Sequence, residues 1–218
     1  MTEIRVLEPA DAAAASALLA RGFEADPAKT SLVPEPTALR IINEVSARTR
    51  LHDALRYGTA HAALIDGKPA AVAVWTPPGV HALSVGAAVR AAARTLPHVP
   101  TLARTIPHMV SVFRTDITGA ITLAWKRHGA VVRASRGTTW NLALLATLPE
   151  HRGKGLARAL LQRQLQRCDE DGAAAWLETD NRVNPGIYER FGFETVAHLT
   201  DADWLPGLWV MRREASPG

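Results

Sequence analysis

The pattern of apolar and polar positions divides the chain into strand-like and helix-like segments. Short apolar runs bounded by turn residues predict strands at 4–7, 60–65, 70–75, 138–148, 173–179, 193–199 and 208–212. Apolar positions three and four residues apart predict helices at about 9–21, 36–57, 156–169 and 185–191. Between the second and third runs, Asp66-Gly67 predicts a tight hairpin, because both residues tolerate positive φ. The order of elements predicts an α/β fold with a mixed central sheet and helices on its faces.

Two segments lack a clear periodic pattern. Residues 23–36, rich in acids and prolines, predict a loop. In residues 81–136 the prolines at positions 97, 100 and 107 are expected to break a helical composition into short helices. We interpret 81–136 as a helical insert in one domain spanning 1–218.

The charge of the chain is concentrated in this insert. It holds eight basic residues and one acid, Asp116, so it is about +7 in a chain of net charge +4. One interpretation is a cleft that attracts an anion. The other is that these charges lie on the solvated faces of amphipathic helices. The basic residues are not interleaved with aromatic residues, so no nucleic-acid partner is expected.

Composition excludes several classes of protein. Cys168 is the single cysteine, which excludes an internal disulfide and a cysteine-only metal site, and we expect no metal cofactor. The sequence contains no run of 18 apolar residues, so no membrane span is predicted, and the first residues do not resemble a signal peptide. We therefore expect a cytoplasmic protein, either a monomer or a homodimer.

The segment from Pro149 to Ala157 carries the strongest chemical signal. Gly153 and Gly155 permit a tight turn between a strand and a helix, and Arg152 and Lys154 add positive charge. Because a helix N-terminus presents unpaired N–H groups, this arrangement predicts a phosphate site. The alternative is a capped turn with exposed basic side chains. The sequence contains neither G-x-x-x-x-G-K-[ST] nor G-x-G-x-x-G.

Two motifs resemble those of the GNAT acetyltransferases. Arg152-x-x-Gly155-x-Ala157 is similar to their R/Q-x-x-G-x-G/A signature, at the expected strand-to-helix junction. Asn184, Tyr188 and the pair Gly192-Phe193 resemble their second signature. Within the superfamily, residues 71–77 and 177–179 look like the puromycin N-acetyltransferases, whereas 81–136 diverges from them.

The resemblance implies acetyl-CoA as the co-substrate and assigns roles to individual residues. The strand ending near Thr147 is expected to splay from its neighbour, so that main-chain groups of Leu145, Ala146 and Thr147 bind pantetheine. An N–H group near Leu145 would stabilise the oxyanion. The residues expected to bind the pyrophosphate are Arg152, Gly153, Lys154, Gly155, Leu156 and Ala157.

The second motif supplies the expected acid. Tyr188 would protonate the CoA thiolate, although a tyrosine packed in the core with its hydroxyl bonded to backbone is the alternative. Asn184 would contact CoA or shape its loop, and it also suits a helix N-cap. Glu178, at the end of a strand beside the cleft, is the first choice as general base, with an ion pair to an arginine as the alternative. Asp180, Glu35 and His81 are reserve candidates for the base.

The function predicted is transfer of acetyl from acetyl-CoA to an amine of a small molecule. That acceptor is expected to be an antibiotic, in which case the enzyme confers antibiotic resistance, or a specialised metabolite. Two alternatives stay open: a protein or peptide N-acetyltransferase, and a non-catalytic acyl-CoA-binding sensor.

Overall fold

The computed structural model describes residues 3–80, 85–202 and 207–216. Its strands are β1 (Glu3–Val6), β2 (Ala60–Ile65), β3 (Lys68–Thr76), β4 (Thr139–Thr147), β5 (Ala174–Thr179), β6 (Glu194–Leu199) and β7 (Leu208–Arg213). They form one seven-stranded sheet in the order β1-β2-β3-β4-β5-β7-β6. Neighbouring strands are antiparallel except β4 and β5, which are parallel. The mixed α/β fold predicted from the sequence is confirmed.

Helices cover both faces of this sheet. They are α1 (Ala12–Gly22), α2 (Pro27–Leu32), α3 (Pro36–Tyr57), α4 (Val85–Thr95), α5 (Val99–Leu102), α6 (Ile106–Thr115), α7 (Ile117–Ala134), α8 (Leu156–Glu170) and α9 (Asn184–Glu189). Among the described residues no helix is both long and apolar enough to cross a membrane.

Side chains of β3 divide the core into two layers. Val72 and Val74 point to one face and pack in a cluster with Leu19 of α1 and Leu51 of α3. The alternate residues Ala71, Ala73 and Trp75 point to the opposite face, where they pack in a cluster with leucines of α8. This division follows from the alternation of side chains along a strand. The sheet is therefore buried on both faces at its centre.

The β2–β3 hairpin has the predicted turn. Asp66 and Gly67 have φ angles of 51° and 72°, so both residues adopt the left-handed conformation that a two-residue hairpin requires. Asp66 is the one non-glycine residue with positive φ in the described part of the chain. The preference of Asp-Gly for this turn sets the register of β2 against β3, in which Ile65 lies opposite Lys68.

Two predictions about irregular segments need correction. The loop predicted at 23–36 contains α2, because the Asp26 carboxylate accepts from the N–H groups of Ala28 and Lys29 and caps a helix. The described part of the insert, from residue 85, is mostly helical as predicted, but α7 runs for 18 residues without a break. Proline stands in the first turn of α5 and α6, where it begins a helix, and none lies within α7.

Candidate active site

A gap opens between the two parallel strands at the centre of the sheet. Pairing of β4 with β5 begins at Thr139 and Ala174 and ends at Leu142 and Leu177. Beyond Leu142, β4 continues to Thr147 while paired on its other side with β3. The second half of β4 therefore presents a free main-chain edge toward β5, which is the splay that the resemblance implied.

The hydrogen-bonding pattern decides which main-chain groups face this gap. The N–H of Leu148 donates to the carbonyl of Ala70 on the β3 side, at 3.0 Å. Because hydrogen-bonded and non-bonded pairs alternate along antiparallel strands, the main chain of Ala146 also turns toward β3. The main-chain groups of Leu145 and Thr147 therefore turn toward the gap. The sequence analysis expected main-chain groups of Leu145, Ala146 and Thr147 to bind pantetheine together. In the structure the main chain of Ala146 faces β3, so it is separated from the other two.

The turn after β4 ends in a helix without a side-chain cap. Gly153 and Gly155 have φ angles of 77° and 76°, and a Cβ added at either would meet no atom within 4 Å. Gly155 is the N-cap of α8 and supplies no side-chain acceptor to the first turn. The leading N–H groups of α8 therefore lack intrahelical partners, beside an exposed turn. This geometry agrees with the predicted phosphate site.

Two basic side chains flank the turn. Arg152 donates to the carbonyl of Gly22 at the end of α1, at 3.3 Å, which ties the turn to the first helix. The Lys154 ammonium lies 3.2 Å from Nδ1 of His151. A cavity of about 540 Å³, here called the loop cavity, runs from this turn along Leu145–Thr147 to α9. Leu156 and Ala157 also line it.

Tyr188 lies where the loop cavity meets a second space. This central cavity, of about 380 Å³, is lined by the gap side of β4, the end of β5 and parts of α2 and α3. The tyrosine lines both cavities and is 8% exposed. Its ring contacts Phe193 edge-on, with centroids 5.8 Å apart. Burial raises the pKa of the phenol to about 12.

The Tyr188 hydroxyl makes no hydrogen bond to any of the described residues. The alternative considered from the sequence, a hydroxyl bonded to backbone, is therefore absent from this part of the chain. Asn184 lines the same two cavities, and its side-chain amide donates to the Thr179 hydroxyl at 2.8 Å. Asn184 thus connects α9 to the end of β5 and does not cap the helix.

Glu178 lies on the wall of the central cavity in a two-point ion pair. Its carboxylate oxygens accept from Nε and Nη2 of Arg127 at 2.7 and 2.6 Å. Neither oxygen can take a proton from an amine without loss of this pair. The geometry therefore favours the ion-pair alternative over the role of general base that the sequence ranked first for Glu178.

A pair of carboxyl groups, Asp26 and Asp180, also lines the central cavity. Burial together with the nearby charge of Asp26 raises the pKa of Asp180. Lys29 lies between these acids and Asn43, to which its ammonium donates at 3.1 Å. Burial lowers the pKa of Lys29. From the sequence, Asp180 was only a reserve candidate for the general base, and Asp26 was only part of the loop predicted at 23–36.

Of the two other reserve candidates for the base, the structure describes only Glu35. Glu35 caps α3 by accepting from the N–H groups of Thr37 and Ala38, which occupies both of its oxygens. His81 lies outside the described residues. The signal that could have found Asp26 is the Asp-Pro pair at the start of α2, a common helix-start pattern.

Acids from elsewhere in the chain form ion pairs with part of the basic insert. Three of its basic residues form close ion pairs, which are Arg90–Asp53 at 2.8 Å, Lys126–Asp201 at 2.6 Å and Arg127–Glu178 at 2.6 Å. The uneven charge therefore serves partly to attach the insert to the rest of the fold.

Other chemistry is not evident in the described part of the chain. No group of His, Cys, Asp and Glu side chains with the proximity of metal ligands occurs in residues 3–80, 85–202 and 207–216. Cys168 is buried in α8, and burial raises the pKa of its thiol to about 11. The thiol therefore stays protonated at neutral pH and is a poor nucleophile.

Comparison with known proteins agrees with this geometry. Residues 111–195, which include the glycine turn, Glu178 and Tyr188, match the model of the acetyltransferase (GNAT) domain. Among curated proteins, an uncharacterised N-acetyltransferase of Schizosaccharomyces pombe is 32% identical over 78 residues. That match covers 35% of this chain and 32% of the relative, so the chain aligns with about a third of the relative's length.

Solved structures share the fold across nearly the whole chain. A Corynebacterium glutamicum protein described as histone acetyltransferase HPA2 and related acetyltransferase has a TM-score of 0.61 at 20% identity, covering 99% of this chain and 98% of its own. The polyamine N-acetyltransferase of Drosophila melanogaster, which forms N-acetylagmatine, has a TM-score of 0.60 at 17% identity, covering 97% and 98%. The architecture is therefore that of the GNAT acetyltransferases.

Proposed function

We propose that this protein is an N-acetyltransferase that transfers acetyl from acetyl-CoA to an amine of a small molecule. The observation that carries the proposal is the gap between β4 and β5. Its free main-chain edge connects an uncapped helix N-terminus with a buried tyrosine whose hydroxyl has no partner in the described residues. These three features are what binding and cleavage of a CoA thioester require.

The residues beside the gap suit each part of the co-substrate. The turn from Arg152 to Ala157 lines the loop cavity, and its N–H groups would hold the pyrophosphate, with the charges of Arg152 and Lys154 alongside. The edge at Leu145 and Thr147 would bind the pantetheine amides as an added strand. Asn184 would position α9 against the same arm through its bond to Thr179.

The chemistry divides between Leu145, Tyr188 and the carboxyl pair. The N–H of Leu145 would stabilise negative charge on the thioester oxygen during attack by the amine. Tyr188, with its pKa raised to about 12, stays protonated at neutral pH and would give its proton to the leaving thiolate. Asp180, with its pKa raised by burial, would accept a proton from the amine directly or through water.

In this assignment Glu178 positions the wall of the central cavity through Arg127 and does not act as the base. Arg127 belongs to α7, so the insert supplies part of that wall, as expected if 81–136 shapes the acceptor site. The resemblance to the puromycin N-acetyltransferases favours an antibiotic or specialised metabolite as the acceptor. Acetylation of agmatine by the Drosophila relative also favours a small amine.

The test is a thiol-release assay with acetyl-CoA and a panel of amines that includes antibiotics, nucleosides, polyamines, arylalkylamines and a lysine-containing peptide. Turnover of a small amine well above the rate of hydrolysis supports the proposal. Turnover confined to the peptide would replace it with protein acetylation. Tight acetyl-CoA binding with no turnover of any amine would replace it with the acyl-CoA sensor.

A further inference from the structure

A third cavity adjoins the central cavity on the side away from Tyr188. This far cavity, of about 760 Å³, lies between α7 and the segment that follows β3. It shares the side chains of Arg50, Arg127, Asn141 and Glu178 with the central cavity, so the two spaces meet at these residues. The region available to an acceptor therefore extends well beyond the reaction centre.

Arg50 is the unbalanced charge at this boundary. It makes no hydrogen bond or close ion pair with any residue in the described ranges. Glu178 attracts it and Arg127 repels it, while burial lowers its pKa. An arginine nevertheless stays protonated at neutral pH. Because Arg127 already binds both oxygens of Glu178, Arg50 keeps its donors for another group.

Acidic groups occupy the opposite end of the central cavity. Asp26 and Asp180 line the central cavity together with Tyr188, and none of the three lines the far cavity. Lys29 donates to Asn43 and is attracted by both carboxyl groups, so one cation stands against two acids at this end of the cavity. The combined space is therefore polarised, with carboxyl groups near the thioester site and a guanidinium at the far boundary.

We infer that the acceptor is an amine that also carries an anionic group, a carboxylate or a phosphate, bound by Arg50. The inference rests on the proposed function and names the acceptor class for that site. The amine lies near Asp26 and Asp180, where its positive charge is attracted before deprotonation. The anion lies where the central and far cavities meet and accepts two hydrogen bonds from the guanidinium plane, which suits both groups.

The test compares length-matched acceptors in four series with three to six methylene groups: alkylamines, α,ω-diamines, ω-aminocarboxylates and aminoalkyl phosphates. An anionic series is expected to exceed the alkylamines in kcat/KM by about 10- to 100-fold, the range for a charged hydrogen-bonded pair. The better of the two anionic series identifies carboxylate or phosphate. Preference for diamines or alkylamines at every length overturns the inference and leaves N-acetylation intact.

Matched variants test whether Arg50 causes the preference for anionic acceptors. Arg50→Gln is expected to raise KM for the anionic acceptors about 10- to 100-fold, to lower the preference for anionic acceptors over alkylamines in kcat/KM by the same factor, and to leave the affinity for CoA unchanged. Arg50→Lys should recover part of the loss. Arg48→Gln is the control, because Arg48 lies on the same helix and pairs with Glu44 at 2.8 Å, and neither residue lines the three cavities. Equal losses for all four series in Arg50→Gln would contradict anion recognition.

A binding measurement separates this inference from the proposed function. N-acetylated ω-aminocarboxylates and aminoalkyl phosphates are titrated calorimetrically into the enzyme with CoA, which needs no turnover. Binding that is weakened about tenfold or more by Arg50→Gln supports the anion site even if no amine in the panel is acetylated. Absence of binding, or equal affinity of the wild type and Arg50→Gln, overturns it.

Discussion

Substitution Tyr188→Phe tests the acid role with little structural disturbance. The ring keeps its edge contact with Phe193, and the hydroxyl that is lost has no hydrogen-bond partner in the described residues. The free energy of unfolding should therefore change by less than about 0.5 kcal/mol. A positioned general acid contributes roughly 10²- to 10⁴-fold, so kcat should fall by that factor, about 3–5.5 kcal/mol in barrier height.

The assay is thiol release at saturating acetyl-CoA, combined with calorimetric measurement of the Kd for CoA. Tyr57→Phe is the matched control, because Tyr57 is the second of the two tyrosines and is 54% exposed at the end of α3. With a phenol pKa of about 12, wild-type kcat should show no loss of this acid below about pH 10. A fall in kcat of less than threefold, or a fall explained by weaker CoA binding, would refute the acid role of Tyr188.

Three further predictions address the turn, the base and the pH dependence of stability. Gly155→Val should weaken CoA binding at least about tenfold. Gly172→Val is the control, because Gly172 is equally strained and open at the other end of α8, and this change should only lower stability, by about 1–2 kcal/mol. Equal CoA affinities of the two variants would exclude the turn as the pyrophosphate site. Asp180→Asn should lower kcat about 10²-fold or more while Glu178→Gln mainly raises the acceptor KM, and the reverse result would return the base role to Glu178. His61 is buried, and burial lowers its pKa from 6.5 to about 4. Between these pH values the unfolded chain binds a proton at His61 and the folded chain does not. Stability should decline by roughly 2–3 kcal/mol between pH 7.5 and 4.5, and denaturant titrations that show the same decline in His61→Gln would contradict this assignment.

The sequence predicted the fold where local preference and tertiary packing agree. The Asp66-Gly67 turn, the bounds of α3 and α8 and the order of strands in the last third follow from turn chemistry and periodicity. It failed at Asp26, where acids and prolines are typical of both loops and helix starts. Only the main-chain N–H groups that Asp26 accepts from distinguish these two outcomes.

Within the site, contiguous motifs were predicted well and side-chain partnerships were not. The glycine turn lies within nine residues of sequence, so its conformation is set locally by Gly153 and Gly155. Glu178 and Arg127 are 51 residues apart, and nothing in either segment specifies that they meet. The role of a titratable side chain depends on contacts with residues that are distant in sequence, and only the folded structure determines those contacts.

The Arg127–Glu178 pair explains how the insert and the reaction centre are coupled. Arg127 on α7 holds the carboxylate at the end of β5, close to where the two parallel strands part. Two further contacts, Arg90–Asp53 and Lys126–Asp201, attach the insert at its two sides. Because these pairs join the insert to the core by charge, the walls of the central and far cavities are set by residues outside the glycine turn. The residues that form these walls can therefore differ between proteins of this fold while the gap in the sheet stays the same.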